Sequence, residues 1–265
     1  MTEVTPSKIP AWLRTWWGRL VAVFTTLTLV VGAGAATFQI LDYLGWYSRP
    51  VTVEGTERLT NPGPVSEAPS VNTFNGGYGP ERDTFTMEKP APYAVLNSIT
   101  NNPYVGDERN FFRVRLDEEG TTYGDSLNVV PGDVLWVSMY LANNAADNLA
   151  GPSATIHGLT VRLLLPDSAS DIPLGAMVEA KNATAIWNGA MLHSQVPINV
   201  QFINGSALFQ TNQGEFAVSD SFGSGEAMLV GQTQLDGEFP VGVDSEGRGQ
   251  GTAYLIYKLV VAAAD

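Results

Sequence analysis

From Leu20 to Leu41 the chain reads LVAVFTTLTLVVGAGAATFQIL without one charged side chain. A run of roughly 22 residues is about 33 Å long as a helix, enough to cross the hydrocarbon core of a bilayer. Arg19 and Asp42 bracket it, and aromatic residues gather at both ends: Trp12, Trp16 and Trp17 before it, Tyr43, Trp46 and Tyr47 after it. Rings at both flanks are expected of a segment that meets two membrane–water interfaces. Lys8, Arg14 and Arg19 precede the run, whereas Asp42, Glu54 and Glu57 outnumber Arg49 and Arg58 behind it. The positive-inside rule then puts residues 1–19 in the cytoplasm, the span at 20–41, and the remainder outside. A second reading stays open, a cleaved signal peptide with LVAVFTTLTLVV as its apolar stretch and Ala33-Gly34-Ala35 as its cleavage site. Both readings export everything beyond about residue 45.

Charge and cysteine content narrow the function. Fourteen Lys and Arg stand against 27 Asp and Glu, a formal charge of −13 that repels phosphate backbones and excludes nucleic acid as a partner. The chain has no cysteine, which removes disulfide frameworks, thiolate metal sites and cysteine nucleophiles together. With 44% hydrophobic residues there is material for a core, so wholesale disorder is excluded.

The exported part divides by texture. Between residues 42 and 104 the chain is dense in Pro, Gly, Asn and Ser, as in NPGPVSEAPSVNTFNGGYGPERD, and is expected to be a semi-extended spacer. Short pieces such as Thr84-Phe85-Thr86 are candidates to dock on the domain. From 105 to 265 short alternating or β-branched runs follow one another between turn dipeptides, without helical periodicity. FFRVRL (111–116), VLWVSMYLA (134–142), TVRLLL (160–165) and YLIYKLVVA (254–262) are predicted strands. Asn188-Gly189 and Asn204-Gly205 predict two tight hairpins, since a type I′ turn needs positive φ at both central residues. Gly132-Asp133 and Asp236-Gly237 mark further turns. The fold expected is mainly β, an antiparallel Ig-like β-sandwich behind an N-terminal transmembrane helix.

One stretch resembles a known family. The run FFRVRLDEEGTTYGDSLNVVPGDVLWVSMYLANNA, followed by ATIHGLTVRLLLP, is similar to the DUF11-type conserved repeat domains of bacterial surface proteins. The shared pattern is Val130, Pro131, Gly132, Asp133 and Leu135, then Asn143-Asn144, then Val161 to Pro166. It covers about sixty residues, and its motifs are structural. The Asn-Asn-Ala ending and the acidic downstream half look like a subset found in membrane-anchored envelope proteins of actinobacteria. The resemblance implies an Ig-like sandwich at the cell surface, with no catalytic residues assigned. One unit is present rather than a tandem array, which argues against a long stalk. Physically, Pro131 sets φ, Gly132 relaxes it and Asp133 accepts backbone N–H groups in a tight turn between two strands. Asn143-Asn144 is expected to satisfy backbone groups where the second strand ends.

The candidates for chemistry are each outweighed by a plainer role. Gly124-Asp125-Ser126-Leu127 matches the nucleophile block of GDSL esterases, but neither His157 nor His193 has an Asp three residues before it, and the block precedes a strand-joining turn. Glu118-Glu119, Asp167/Asp171 and Asp244/Glu246 offer carboxylate pairs for glycoside hydrolysis, each in a Gly- or Pro-bounded loop. Asp125, Asp133, Asp244 and Glu246 offer oxygen ligands for calcium, without the spacing of an EF-hand loop. His157 and His193 are read as packed or surface residues. Trp136 and Trp187 are read as sandwich-core residues ahead of a sugar-stacking platform. Asn182-Ala-Thr and Asn204-Gly-Ser are formal glycosylation acceptors without expected consequence in a bacterium. No catalytic or cofactor-binding residue is therefore assigned, and no metal ligand is fixed. The expected function is a non-enzymatic binding or structural module of a bacterial envelope, anchored by its helix and facing an envelope protein or wall polymer. The alternative is an envelope glycan hydrolase using loop carboxylates.

Overall fold

A computed structural model describes residues 68–264 except 150, 244 and 246–248. The expected cytoplasmic segment, the expected span at 20–41 and the first part of the expected spacer lie outside the described residues. Among those described, no helix is long and apolar enough to cross a membrane. They form a mainly β fold with β1 at Gly77–Gly79, β2 at Phe112–Leu116, β3 at Ser126–Asn128, β4 at Val134–Ala142, β5 at Thr160–Leu164, β6 at Ala169–Glu179 and β7 at Ile186–Phe202. After these come β8 at Leu208–Thr211, β9 at Gly214–Ala217, a 3-10 turn at Asp220–Ser224, β10 at Met228–Leu229, β11 at Gly242–Val243, β12 at Gly249–Gln250 and β13 at Thr252–Ala263.

The main sheet runs β10-β5-β6-β7-β13-β4-β2, with antiparallel neighbours throughout. The long strand β7 changes partners along its length. Its residues 187–189 and 191–193 pair with β1 and β3, whereas Ile198 to Phe202 pair with Ala263 to Leu259 of β13. The strand thereby belongs to both halves of the sheet. Burial follows the two-residue period of a strand. Ala253, Leu255, Tyr257, Leu259 and Val261 of β13, and Leu135, Val137, Met139 and Leu141 of β4, enter one core together with Ile172 and Leu174 of β6 and Ile186 and Leu192 of β7. The intervening residues of β4 and β13 form the opposite face.

The Pro-Gly-Asp turn is built as its sequence demands. Asp133 N–H bonds the Val130 carbonyl at 3.1 Å, the Asp133 carboxylate accepts Val130 N–H at 2.8 Å, and Gly132 has φ of 103°. Both expected Asn-Gly hairpins are corrected. Asn188 and Gly189 lie inside β7, where Gly189 pairs with Gly175 on one side and Gly77 on the other. A Cβ at Gly189 would sit 2.2 Å from the Leu174 carbonyl oxygen and 2.5 Å from the Phe74 ring, so this glycine serves close approach rather than a turn. Asn204-Gly205 does turn, with Gly205 at φ of 72°, but β7 before it and β8 after it both pair antiparallel with β13, in line with each other. The turn is an excursion between two collinear strands.

The spacer assignment is also corrected over its described part. Phe74, Ala91, Leu96 and Ile99 are buried, and Phe74 lies over the paired glycines 175 and 189. The backbone here is irregular, so its polar groups need side-chain partners. Asn97, with φ of 39°, pairs its N–H with the Ala142 carbonyl, accepts Ala142 N–H at its Oδ1, and donates Nδ2 to the carbonyls of Tyr140 and Glu108. Arg82 clamps the same segment, donating to Ser98 Oγ at 3.0 Å, to Asn97 O at 2.7 Å and to Pro80 O at 3.1 Å. Phe85 bridges to Ile99, so the Thr84-Phe85-Thr86 piece packs as a short ladder contact.

Candidate functional site

The outward face of β2, β4 and β13 gathers residues that are far apart in the chain. Register places Arg115, Trp136 and Lys258 in one row across the three strands, Arg113, Ser138 and Ile256 in the next, and Tyr140 beside Tyr254 in the third. Their side chains share a face because each strand contributes alternate positions.

In the first row Trp136 Nε1 donates to Asp117 Oδ1 at 2.6 Å, and Lys258 Nζ donates to Asp117 Oδ2 at 2.7 Å. Lys258 Nζ stands 4.4 Å from the centre of the Trp136 ring system. Arg115 lies over Tyr123 at 5.3 Å and approaches Trp136 at 5.7 Å. One carboxylate therefore orients an indole and an ammonium, and the indole is flanked by two cations. The Lys258 hydrogen bond holds the Asp117 carboxyl below its ordinary range, helped by the Trp136 indole against partial desolvation. Trp136 is half-buried on this face, which corrects its expected place in the core.

Beside this row lies a groove of about 150 Å³ lined by Tyr104, Tyr123, Tyr140, Tyr254, Arg113 and Ser138 among others. The Tyr140 and Tyr254 rings are 5.2 Å apart, and Tyr104 is 47% exposed at the rim. Burial raises the Tyr123 hydroxyl above its usual range. Glu108 also lines the groove and is fully buried. Its Oε1 accepts from Asn102 Nδ2 and its Oε2 from Asn144 Nδ2, each at 2.7 Å. Asn144 in turn accepts the N–H groups of Ser98 and Ile99. Asn143, also buried, donates to the carbonyls of Ala154 and Phe239. The Asn-Asn pair thus fulfils its expected backbone role, deep in the fold rather than at an edge.

The sequence candidates are scattered. Ser126 sits on β3, in register with Met191, and no hydrogen bond joins it to His193 two positions further along β7. The surrounding backbone is a strand paired parallel to β7, unlike the strand-to-helix turn that exposes an esterase serine. Asp171 pairs with His193, its Oδ1 2.6 Å from the ring Nδ1, at an exposed position of β6. Glu118 and Glu119 occupy the connection from β2 to β3, and Asp167 that from β5 to β6. Asp133 is consumed by its own turn, and Asp244 and Glu246 lie outside the described residues. No group of three or more His, Asp or Glu that could hold a metal occurs among the described residues.

His157 is half-buried and bonded at both ring nitrogens. Its Nδ1 faces Glu238 Oε2 at 2.6 Å and its Nε2 faces the Pro152 carbonyl at 3.1 Å. Asn182 accepts the His157 N–H and donates to the Thr155 carbonyl, which ties two loops together. Trp187 lies against Gly79, apart from the groove lining, and is half-buried, which corrects its expected place in the core too. Sequence reasoning missed Glu108, Arg113, Tyr123, Tyr140 and Tyr254. The alternation of FFRVRL and YLIYKLVVA marks which of their positions face outward, but only strand register brings the two segments together.

Fold and face together define a mainly β protein with an antiparallel sheet whose outer surface is aromatic and cationic. No family model, curated protein or solved structure matches the chain.

Proposed function

We propose that this protein is a membrane-anchored, extracytoplasmic, non-enzymatic binding module of a bacterial cell envelope. The observation that carries the reading is the outward face of β2, β4 and β13, where Arg115, Trp136 and Lys258 form a row beside a groove lined by four tyrosines and Arg113, on an otherwise acidic chain. Aromatic rings with a few placed polar groups are the composition of recognition surfaces. The uncharged run at 20–41 supports anchoring, and the charge asymmetry around it supports a cytoplasmic N-terminus. Division of the strands into two groups that share β7 supports an Ig-like sandwich of the DUF11 kind, as does the Pro-Gly-Asp turn.

The test is retention on the full chain, immobilised in detergent micelles, of wall glycans and purified envelope proteins, with and without calcium. Selective retention of a glycan or protein recovered intact is expected. Shortened glycan would overturn the reading in favour of hydrolysis.

A further inference from the structure

The sheet face that carries the groove is charged against the grain of the chain, and that contrast indicates what fills the groove. The whole sequence carries −13, yet this face presents Arg113, Arg115 and Lys258. Lys258 is bound to Asp117. Arg115 donates to the Leu116 carbonyl at 2.8 Å and covers Tyr123. Arg113 is the exception. Among the described residues its guanidinium makes one hydrogen bond, from Nη2 to the Val105 carbonyl at 3.4 Å, and no ion pair, although it lines the groove. A guanidinium has five N–H donors in a planar fork that matches a carboxylate. Glu108, the groove's carboxylate, does not fill that role, since it is buried and bonded to Asn102 and Asn144.

The remaining lining selects the body of the ligand. Tyrosine rings offer flat apolar faces with polar tips, and Ser138 adds a hydroxyl. A volume of about 150 Å³ is the scale of one ring. The geometry points to a binding site for an acidic saccharide, with one sugar ring seated among Tyr104, Tyr123, Tyr140 and Tyr254 and its carboxylate on Arg113. This rests on the reading of the domain as an envelope-binding module and adds the ligand class.

The experiment is titration calorimetry on the full chain in detergent micelles. The probes are a short oligogalacturonate, its methyl ester, and a poly(glycerol phosphate) chain. The oligogalacturonate is expected to bind, with the ester about tenfold weaker or more, as the loss of a charge-assisted pair dictates. Arg113→Gln is expected to reduce the acid's affinity to that of the ester, with Arg113→Lys between them, and near-UV circular dichroism checks that both variants fold. Equal binding of acid and ester, a phosphate polymer bound in place of the uronate, or an Arg113→Gln variant that binds as well as wild type would each overturn the inference. Failure of all three probes would overturn it too. In that case, retention of a purified envelope protein that is lost in Arg113→Gln would show that the binding-module reading survives without the saccharide.

Discussion

Asn144 Nδ2 lies 2.7 Å from Glu108 Oε2, joining the end of β4 to a carboxylate that has no exposed surface. The same Asn144 side chain accepts two backbone N–H groups, from Ser98 and Ile99. One amide therefore satisfies a buried carboxyl group and the irregular segment that covers the strand end. Removing it leaves three polar groups buried and short of a partner. Asn144→Ala is expected to cost about 3 kcal/mol or more, read as a fall in thermal midpoint of the full chain in micelles. Asn144→Asp is expected to be as harmful, because it sets a second acid against Glu108. Wild-type stability in either variant would show that the network is dispensable.

Tyr257 makes the opposite case. Its ring fills the core between Phe202 and Phe222, while its hydroxyl is buried without a hydrogen-bond partner among the described residues. Burial pushes that hydroxyl well above its ordinary range. Tyr257→Phe keeps the packing and deletes the stranded group, so stability is expected to be unchanged or to rise by about 1 kcal/mol. A drop of similar size in a urea titration would show that the hydroxyl is bonded after all.

The strands that were legible are those with one buried face. VLWVSMYLA alternates in burial over its first half and YLIYKLVVA throughout, and they lie in β4 and β13 within a few residues of their expected bounds. Residues 169–179, where only Asp171 is singled out and expected in a loop, form β6, because Pro173 and Gly175 break the pattern while pairing with β7 fixes the conformation. The segment from 74 to 99 was illegible for another reason. It buries only scattered residues and is held by Arg82, Asn97 and Asn144, which satisfy backbone without any periodicity. The groove was hidden because Arg113 and Tyr254 become neighbours only through the shared strand β4.

The first row of the outer face predicts a pH response. The Lys258 hydrogen bond, then the Trp136 indole, hold the Asp117 carboxyl below its unfolded value. Folding stability from this group is therefore fully present above the unfolded value, near about 4, and is lost as pH falls through the lower folded value. The pair is partly exposed, so its effect on global stability is small. A local probe is better suited. The Trp136 indole N–H resonance is expected to titrate with a midpoint below that of an ordinary aspartate, and Asp117→Asn is expected to abolish the step. A midpoint at the ordinary value would show that the bonds to Asp117 do not persist in solution.

Arg82 predicts how firmly the N-terminal segment is held. Its guanidinium joins Pro80 to Asn97 and Ser98, and burial, with Arg109 nearby, lowers its affinity for the proton. Lysine has no planar fork and cannot reach these acceptors in one geometry. Arg82→Lys is expected to lose about 1–2 kcal/mol and to speed amide hydrogen exchange at Ser98 and Phe85 ahead of β13. Uniform exchange changes across both would mean that the segment does not open separately.

Gly189 and Phe74 supply the sharpest test of the docked segment. The Phe74 ring sits over the paired glycines of β6 and β7, and a methyl group at 189 would meet it at 2.5 Å and the Leu174 carbonyl oxygen at 2.2 Å. Backbone on one side and a packed ring on the other leave no room to yield, so Gly189→Ala is expected to cost about 3 kcal/mol or more. Phe74→Ala instead removes the ring and exposes the glycine row, at an expected cost of about 3 kcal/mol. In the double variant part of the clash is gone, so the two losses are expected to be less than additive. Calorimetric midpoints of the two single variants and the double variant form that cycle. Strict additivity would place Phe74 away from the glycines, and an unaffected Phe74→Ala would restore the free spacer that composition alone suggested.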